Sequence, residues 1–154
     1  MILIIDILIV AILVAVAVID ATRYIIPDSL SALIALLALA KAYFAGHDAV
    51  LIALSGGLIA TVLFEATRRI MSFRLKREAM GFGDVKLMAA GGIWVGAQAL
   101  APAIMIACGT ALIGFLISGL IDQAGWRNRE IPFGPFLALG LVISRGTELY
   151  VIYS

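Results

Sequence analysis

The chain is 154 residues long and 64% apolar, with 11 basic against 10 acidic side chains, a net charge of +1 and one cysteine. Soluble domains hold roughly 45–50% apolar residues, and the mean hydropathy here is +1.14. A water-soluble globule is therefore excluded, and one all-α, polytopic membrane domain over residues 1–154 is expected. The longest polar stretch, about 65–84, reads as a loop and not as a separate domain.

A membrane-crossing helix needs about 20 mostly apolar residues. On that ruler the spans fall at about Ile2–Ile19, Ser29–Phe44, Ala49–Phe64, Val85–Leu100, Pro102–Ile121 and Pro132–Tyr153, six in all. The first has Asp6 and no basic residue before it, so it lacks the pattern of a cleaved secretory signal and is read as retained. Pro27-Asp28-Ser29 starts the second span, Gly46-His47-Asp48 caps the third, and Pro102 is placed in the first turn of the fifth. Small residues four apart, Gly92 with Gly96 and Gly114 with Ser118, are the expected helix contacts.

Basic residues concentrate in cytoplasmic loops. Arg23, Arg68, Arg69, Arg74, Lys76, Arg77, Lys86, Arg127 and Arg129, nine of the eleven, fall between spans one and two, three and four, or five and six. Both termini are therefore expected outside the cytoplasm, with Asp20 and Asp84 at its face. Lys41 and Arg145 fall on the other side, where long stems carry a charge to the headgroups. Asp6 is expected near that side, solvated.

Each acid near hydrocarbon needs a reason. Asp20 ends the first span in Asp20-Ala21-Thr22-Arg23-Tyr24-Ile25-Ile26-Pro27. It either pairs with Arg23 at the headgroups or does chemistry, and its place at the unfavourable end of its own helix dipole leans toward the second. In Gly81-Phe82-Gly83-Asp84-Val85-Lys86-Leu87, Asp84 either caps the fourth span or serves a substrate. Capping leaves the two glycines around an aromatic unexplained, whereas glycines let an extended peptide approach an acid closely. Lys86 either orients Asp84, meets substrate charge or anchors at the interface. His47 has no second metal ligand in view, Cys108 fits a mid-helix apolar position, and Glu65 is spaced to pair with Arg68 or Arg69.

Residues 81–87 resemble the GxGD signature of bacterial type IV prepilin peptidases, distant mechanistic relatives of presenilin-type proteases. Asp20 with Ile26-Pro27, and Ile131-Pro132-Phe133-Gly134-Pro135-Phe136-Leu137, resemble two further segments of that family. The resemblance implies a six-helix, GxGD-type intramembrane aspartyl protease fold with Asp20 and Asp84 as the catalytic pair. Gly81, Phe82, Gly83, Lys86, Pro132, Phe133, Gly134 and Pro135 become candidates for shaping the site; for the proline segment, a proline-initiated helix is the alternative. Asp28 stands where the family commonly has Asn, and either would cap. The implied substrate is a prepilin or pseudopilin with a short basic leader, cut after a glycine. No metal, cofactor or nucleic acid is expected; membrane lipids and a second copy of the chain complete the candidate partners.

Larger members carry a cysteine-bearing cytoplasmic domain associated with N-methylation. The chain looks like the short form of Tad/Cpa (Flp-type) systems, for which methylation is not expected. Two carboxyls sharing a proton would suffice, one taking a proton from water and the other donating to the scissile carbonyl. A small proton-coupled carrier or channel subunit and a non-catalytic secretion-system subunit are the alternatives.

Overall fold

The computed structural model describes residues 2–78, 80–121 and 132–153. Five helices follow in order: α1 (Ile2–Arg23), α2 (Asp28–Ala45), α3 (His47–Leu75), α4 (Phe82–Ile121) and α5 (Gly134–Tyr153). Among the described residues, α1 to α4 are long and apolar enough to cross a membrane. Six such spans were expected. Arg127, Arg129 and Ile131 lie outside the described residues.

Helix α1 shows what holds such a bundle. Asp6, Ile9, Leu13, Val16 and Asp20, spaced by three and four, form one buried face. Leu3, Ile7, Val14 and Val18 are large, apolar and exposed. In water that outer face would be a liability; against lipid it costs nothing, so the inner face alone specifies packing. Tyr24, in the left-handed region at φ 56°, ends the helix. Pro27, not Asp28, is the N-cap of α2: its carbonyl accepts the Leu30 and Ser31 N–H groups, and no side chain caps that end. Gly46 alone joins α2 to α3 at φ 119°, a conformation in which side chains are strained.

The third helix runs eleven residues past its expected end at Phe64. Glu65 accepts from both Arg68 and Arg69, at 3.1 and 2.5 Å, and these i,i+3 and i,i+4 pairs carry the helix on beyond the hydrocarbon.

The expected fourth and fifth spans form one element, α4, broken at Gly96 (φ 76°, ψ 172°) and not near Pro102. Only glycine adopts that conformation readily, and a Cβ there would lie 2.8 Å from Ile52 Cγ2. Pro102 falls in the second turn of the restarted helix. Along α5, Leu141 covers Gly91 of the first half. On the second half Phe136 meets Gly114, Gly140 meets Ala103 and Ala107, and the Ser144 hydroxyl donates to the Ala99 carbonyl at 2.7 Å. Partner numbers fall along the second half as α5 advances, so α5 and that half run antiparallel.

Close packing relies on residues without bulk. A Cβ on Gly92 would meet the Gly56 carbonyl oxygen at 2.6 Å, and one on Gly56 would enter the α4 backbone at Gly92 and Gly96. The expected contact role of Gly92 and Gly96 is met by α3. Ser118 differs, since its hydroxyl donates back to Gly114 within its own helix.

Three charges depart from expectation. Asp6, at 5% exposure, is buried and not solvated; Lys41, at 7%, does not reach outward but donates to Asp6 Oδ1 at 2.5 Å. Arg145 Nε lies 3.8 Å from the same oxygen. These side chains point into the bundle, where pairing replaces the hydration that an outward stem would have found.

Gly56→Leu is expected to force α3 from α4 and lower the unfolding temperature in detergent by an amount equivalent to about 1–3 kcal/mol. Gly109→Ala, which meets nothing within 4 Å, leaves it unchanged. Thermal melts of both variants check this.

Candidate active site

The acids of the two motifs come together although 64 positions separate them. Asp20 and Asp84 line one cavity of about 270 Å³, with Tyr24, Ile25, Ile26, Asp28, Gly81, Phe82, Gly83 and Lys86. They are close enough for direct charge repulsion.

Asp20 is on the buried face of α1, 6% exposed. It makes no pair with Arg23. One carboxylate oxygen accepts the Gly134 backbone N–H at 2.8 Å. Gly134 opens α5, so an acid at the unfavourable end of its own helix dipole lies at the favourable end of another. A Cβ on Gly134 would lie 2.6 Å from Asp20 Oδ2. Glycine is thus required here by the approach of the acid.

Asp84 sits in the first turn of α4 and accepts the Gly81 backbone N–H. This is the acidic half of a capping box, an N3 side chain reaching back to the N-cap amide. Capping and exposure to the cavity are compatible, because Asp84 is only half-buried. The flanking glycines have no positive φ. A Cβ on Gly83 would crowd Ile26 Cβ at 3.0 Å, whereas one on Gly81 would meet Asp84 Oδ2 at 3.4 Å and the Gly83 nitrogen at 4.0 Å, both ordinary contacts.

At the cavity rim Lys86 Nζ donates to Asp28 Oδ2 at 2.6 Å and stands 4.8 Å from the Phe82 ring centre. The Arg68 guanidinium is 5.2 Å from the same ring. Lys86 therefore neither orients Asp84 nor reaches freely to headgroups, and Asp28 is an ion-pair partner and not a cap. Pro132, Phe133 and Pro135 do not line the cavity. The Phe133 carbonyl accepts the Phe136 and Leu137 N–H groups and so starts α5, with Pro135 inside the first turn; the expected start at Pro132 moves two residues on. Tyr24, Ile25 and Ile26 line the cavity without having been candidates; the left-handed Tyr24, which bends the chain into the site, leaves no mark in residue type. Among the described residues no three His, Cys, Asp or Glu side chains converge as metal ligands would.

The Gly81–Asp84 turn of this apolar helical bundle thus opens on a cavity lined by two acids. Residues 7–121 match the type IV leader peptidase family, and the chain belongs to that family. A prepilin leader peptidase/N-methyltransferase of Aeromonas salmonicida is 34% identical over 134 residues, covering 83% of this chain and 44% of that protein. A type 4 prepilin-like proteins leader peptide-processing enzyme of Escherichia coli is 40% identical over 90 residues, 57% of this chain and 30% of its own length. A prepilin leader peptidase/N-methyltransferase of Burkholderia pseudomallei is 42% identical over 89 residues, 52% and 27% of the two chains. The chain thus spans less than half the length of these relatives. No solved structure matches it significantly.

Gly134→Ala is expected to push the Asp20 carboxylate aside and lower kcat for prepilin leader cleavage by about 10²-fold, as sub-ångström to ångström misplacement does. Gly146→Ala, on the same helix with nothing within 4 Å, retains activity. Cleavage of a prepilin in membranes, followed by mass, compares the two.

Proposed function

We propose that the chain is an aspartic endopeptidase that removes the short basic leader of type IV, Flp-like prepilins or pseudopilins. The single observation that carries this reading is the shared cavity of Asp20 and Asp84, each acid held by a backbone N–H at a helix N-terminus. The two carboxyls hold one proton between them. The ionised member takes a proton from water as the water oxygen attacks the scissile carbonyl carbon. The protonated member gives its proton to the carbonyl oxygen, and collapse of the tetrahedral adduct with proton transfer to nitrogen releases the leader and the new amino terminus. Gly81 leaves room for an extended substrate backbone beside Asp84.

In this reading the two halves of α4 count as separate crossings and α5 as a further one, which would make six in a GxGD-type fold with both termini outside the cytoplasm; the break at Gly96 supports the division of α4. The basic residues around the α3–α4 connection support a cytoplasmic-face site in the inner membrane, where the junction between a basic leader and a hydrophobic pilin helix would lie. A proton-coupled carrier fits less well. Between Asp6 and Asp20 the inner face of α1 is Ile9, Leu13 and Val16, with no titratable group to relay a proton.

Asp20→Asn and Asp84→Asn are each expected to abolish leader removal while the protein still accumulates in the membrane. The assay is co-expression with a prepilin and mass measurement of its amino terminus. Normal cleavage by either variant rejects the dyad, and proton flux into liposomes without cleavage would favour the carrier.

A further inference from the structure

Helices α1 and α4 each carry one acid of the site, yet no Cα of α1 comes within 8 Å of a Cα of α4. Direct backbone packing therefore does not set the rotation of α1 against α4; α2 and α5 each pack on both helices, and any direct link between the two is made by side chains. Beyond the apolar side chains between them, one directed bond makes that link at the end away from the cavity. The Trp94 indole N–H donates to Asp6 Oδ1 at 2.6 Å, with Trp94 only 4% exposed. Lys41 of α2 donates to the same oxygen, and Arg145 of α5 approaches it.

Asp6 lies 14 residues before Asp20 on the same buried face, almost four turns or about 21 Å along one helix. Trp94 lies ten residues after Asp84, about 15 Å along the first half of α4 and before its break at Gly96. Each acid is thus rigidly joined through unbroken helix to one end of the Asp6–Trp94 bond. One residue of register on α1 corresponds to about 100° of rotation, enough to turn Asp20 away from the cavity. An aspartate is costly to bury and contributes little net stability over an apolar residue even when paired. Its directional bonds are what an apolar residue would lack.

We propose that Asp6, held by Lys41 and bonded to Trp94, is a positioning device. It fixes the rotation and register of α1 against α4, and so aims Asp20 at Asp84 from the far end of the bundle. The inference rests on the two-acid reading of the site, and its test is arranged so that each can fail alone.

Trp94→Phe keeps the ring and removes the N–H. It is expected to lower kcat at least roughly tenfold with KM little changed, the pattern of a misplaced acid and not of lost substrate binding. Asp6→Leu does the same, whereas Asp6→Asn, which keeps an acceptor oxygen for the indole, stays within about threefold of the parent. A second readout needs no activity. With Cys108→Ser, Asp20→Cys and Asp84→Cys are joined by a short bifunctional thiol reagent, and adding Trp94→Phe is expected to lower the cross-linking yield severalfold. If Asp6→Leu fails to accumulate, Trp94→Phe still decides the matter. Unchanged kcat and unchanged cross-linking in Trp94→Phe, with only a lower unfolding temperature, would overturn the positioning role. Loss of cross-linking with persistent cleavage by Asp20→Asn would uphold the clamp and reject the dyad.

Discussion

The hydrogen bond from the Gly134 amide to Asp20 joins the first helix to the last across 114 residues. A carboxylate buried at a helix C-terminus faces a poor dipole and little water, and a backbone N–H at another helix N-terminus supplies what both lack. The bond constrains its surroundings in turn. Residue 134 must be glycine to let the acid in, α5 must begin there, and α1 must present its buried face to α5. Asp84 repeats the solution within its own first turn, using the Gly81 amide.

Among the described residues no cation bonds to either acid, although Lys86 is two residues from Asp84 and Arg68 stands over Phe82. Those charges are engaged elsewhere, Lys86 with Asp28 and Arg68 with Glu65. An ammonium bonded to either carboxylate would fix it as an ion, which the proposed sharing of one proton between the two does not allow. Amide donors stabilise a carboxylate more gently. On this view Asp28 matters less as a helix starter than as the counter-ion that keeps Lys86 from Asp84.

Much of this was legible in local sequence. The apolar ruler found the regions of the four helices that can cross a membrane, though it divided the chain into six spans, and Gly81–Asp84 and Gly134 drew attention to one turn that lines the cavity and one that bonds Asp20. Failures came wherever the answer lay in another helix. The dipole argument leaned toward chemistry at Asp20 because it left the acid at an unfavourable helix end with only its own helix in view; α5 supplies a favourable one. Lys41 and Arg145 have stems long enough to reach headgroups, and nothing local tells that they point inward to Asp6. Hydropathy ended the third span at Phe64, although charged pairs at helical spacing extend α3 to Leu75. A proline is the louder breaker, yet α4 breaks at Gly96, where Ile52 of α3 leaves no room for a side chain.

The two ends of the bundle divide the work that polar groups do in an apolar protein. At the Asp6 end the acid is buried with cations and an indole, so its charge is spent on fixing orientation. At the Asp20 end the acids meet amides and each other beside open space, the setting that the proposed proton transfer needs. Between the ends, α1 buries Ile9, Leu13 and Val16, with Val10, Ile12 and Ala17 partly buried beside them, side chains that fill space and direct little. A helix with so featureless a middle transmits rotation as a rigid rod, which is why bonds at one end can govern the geometry at the other.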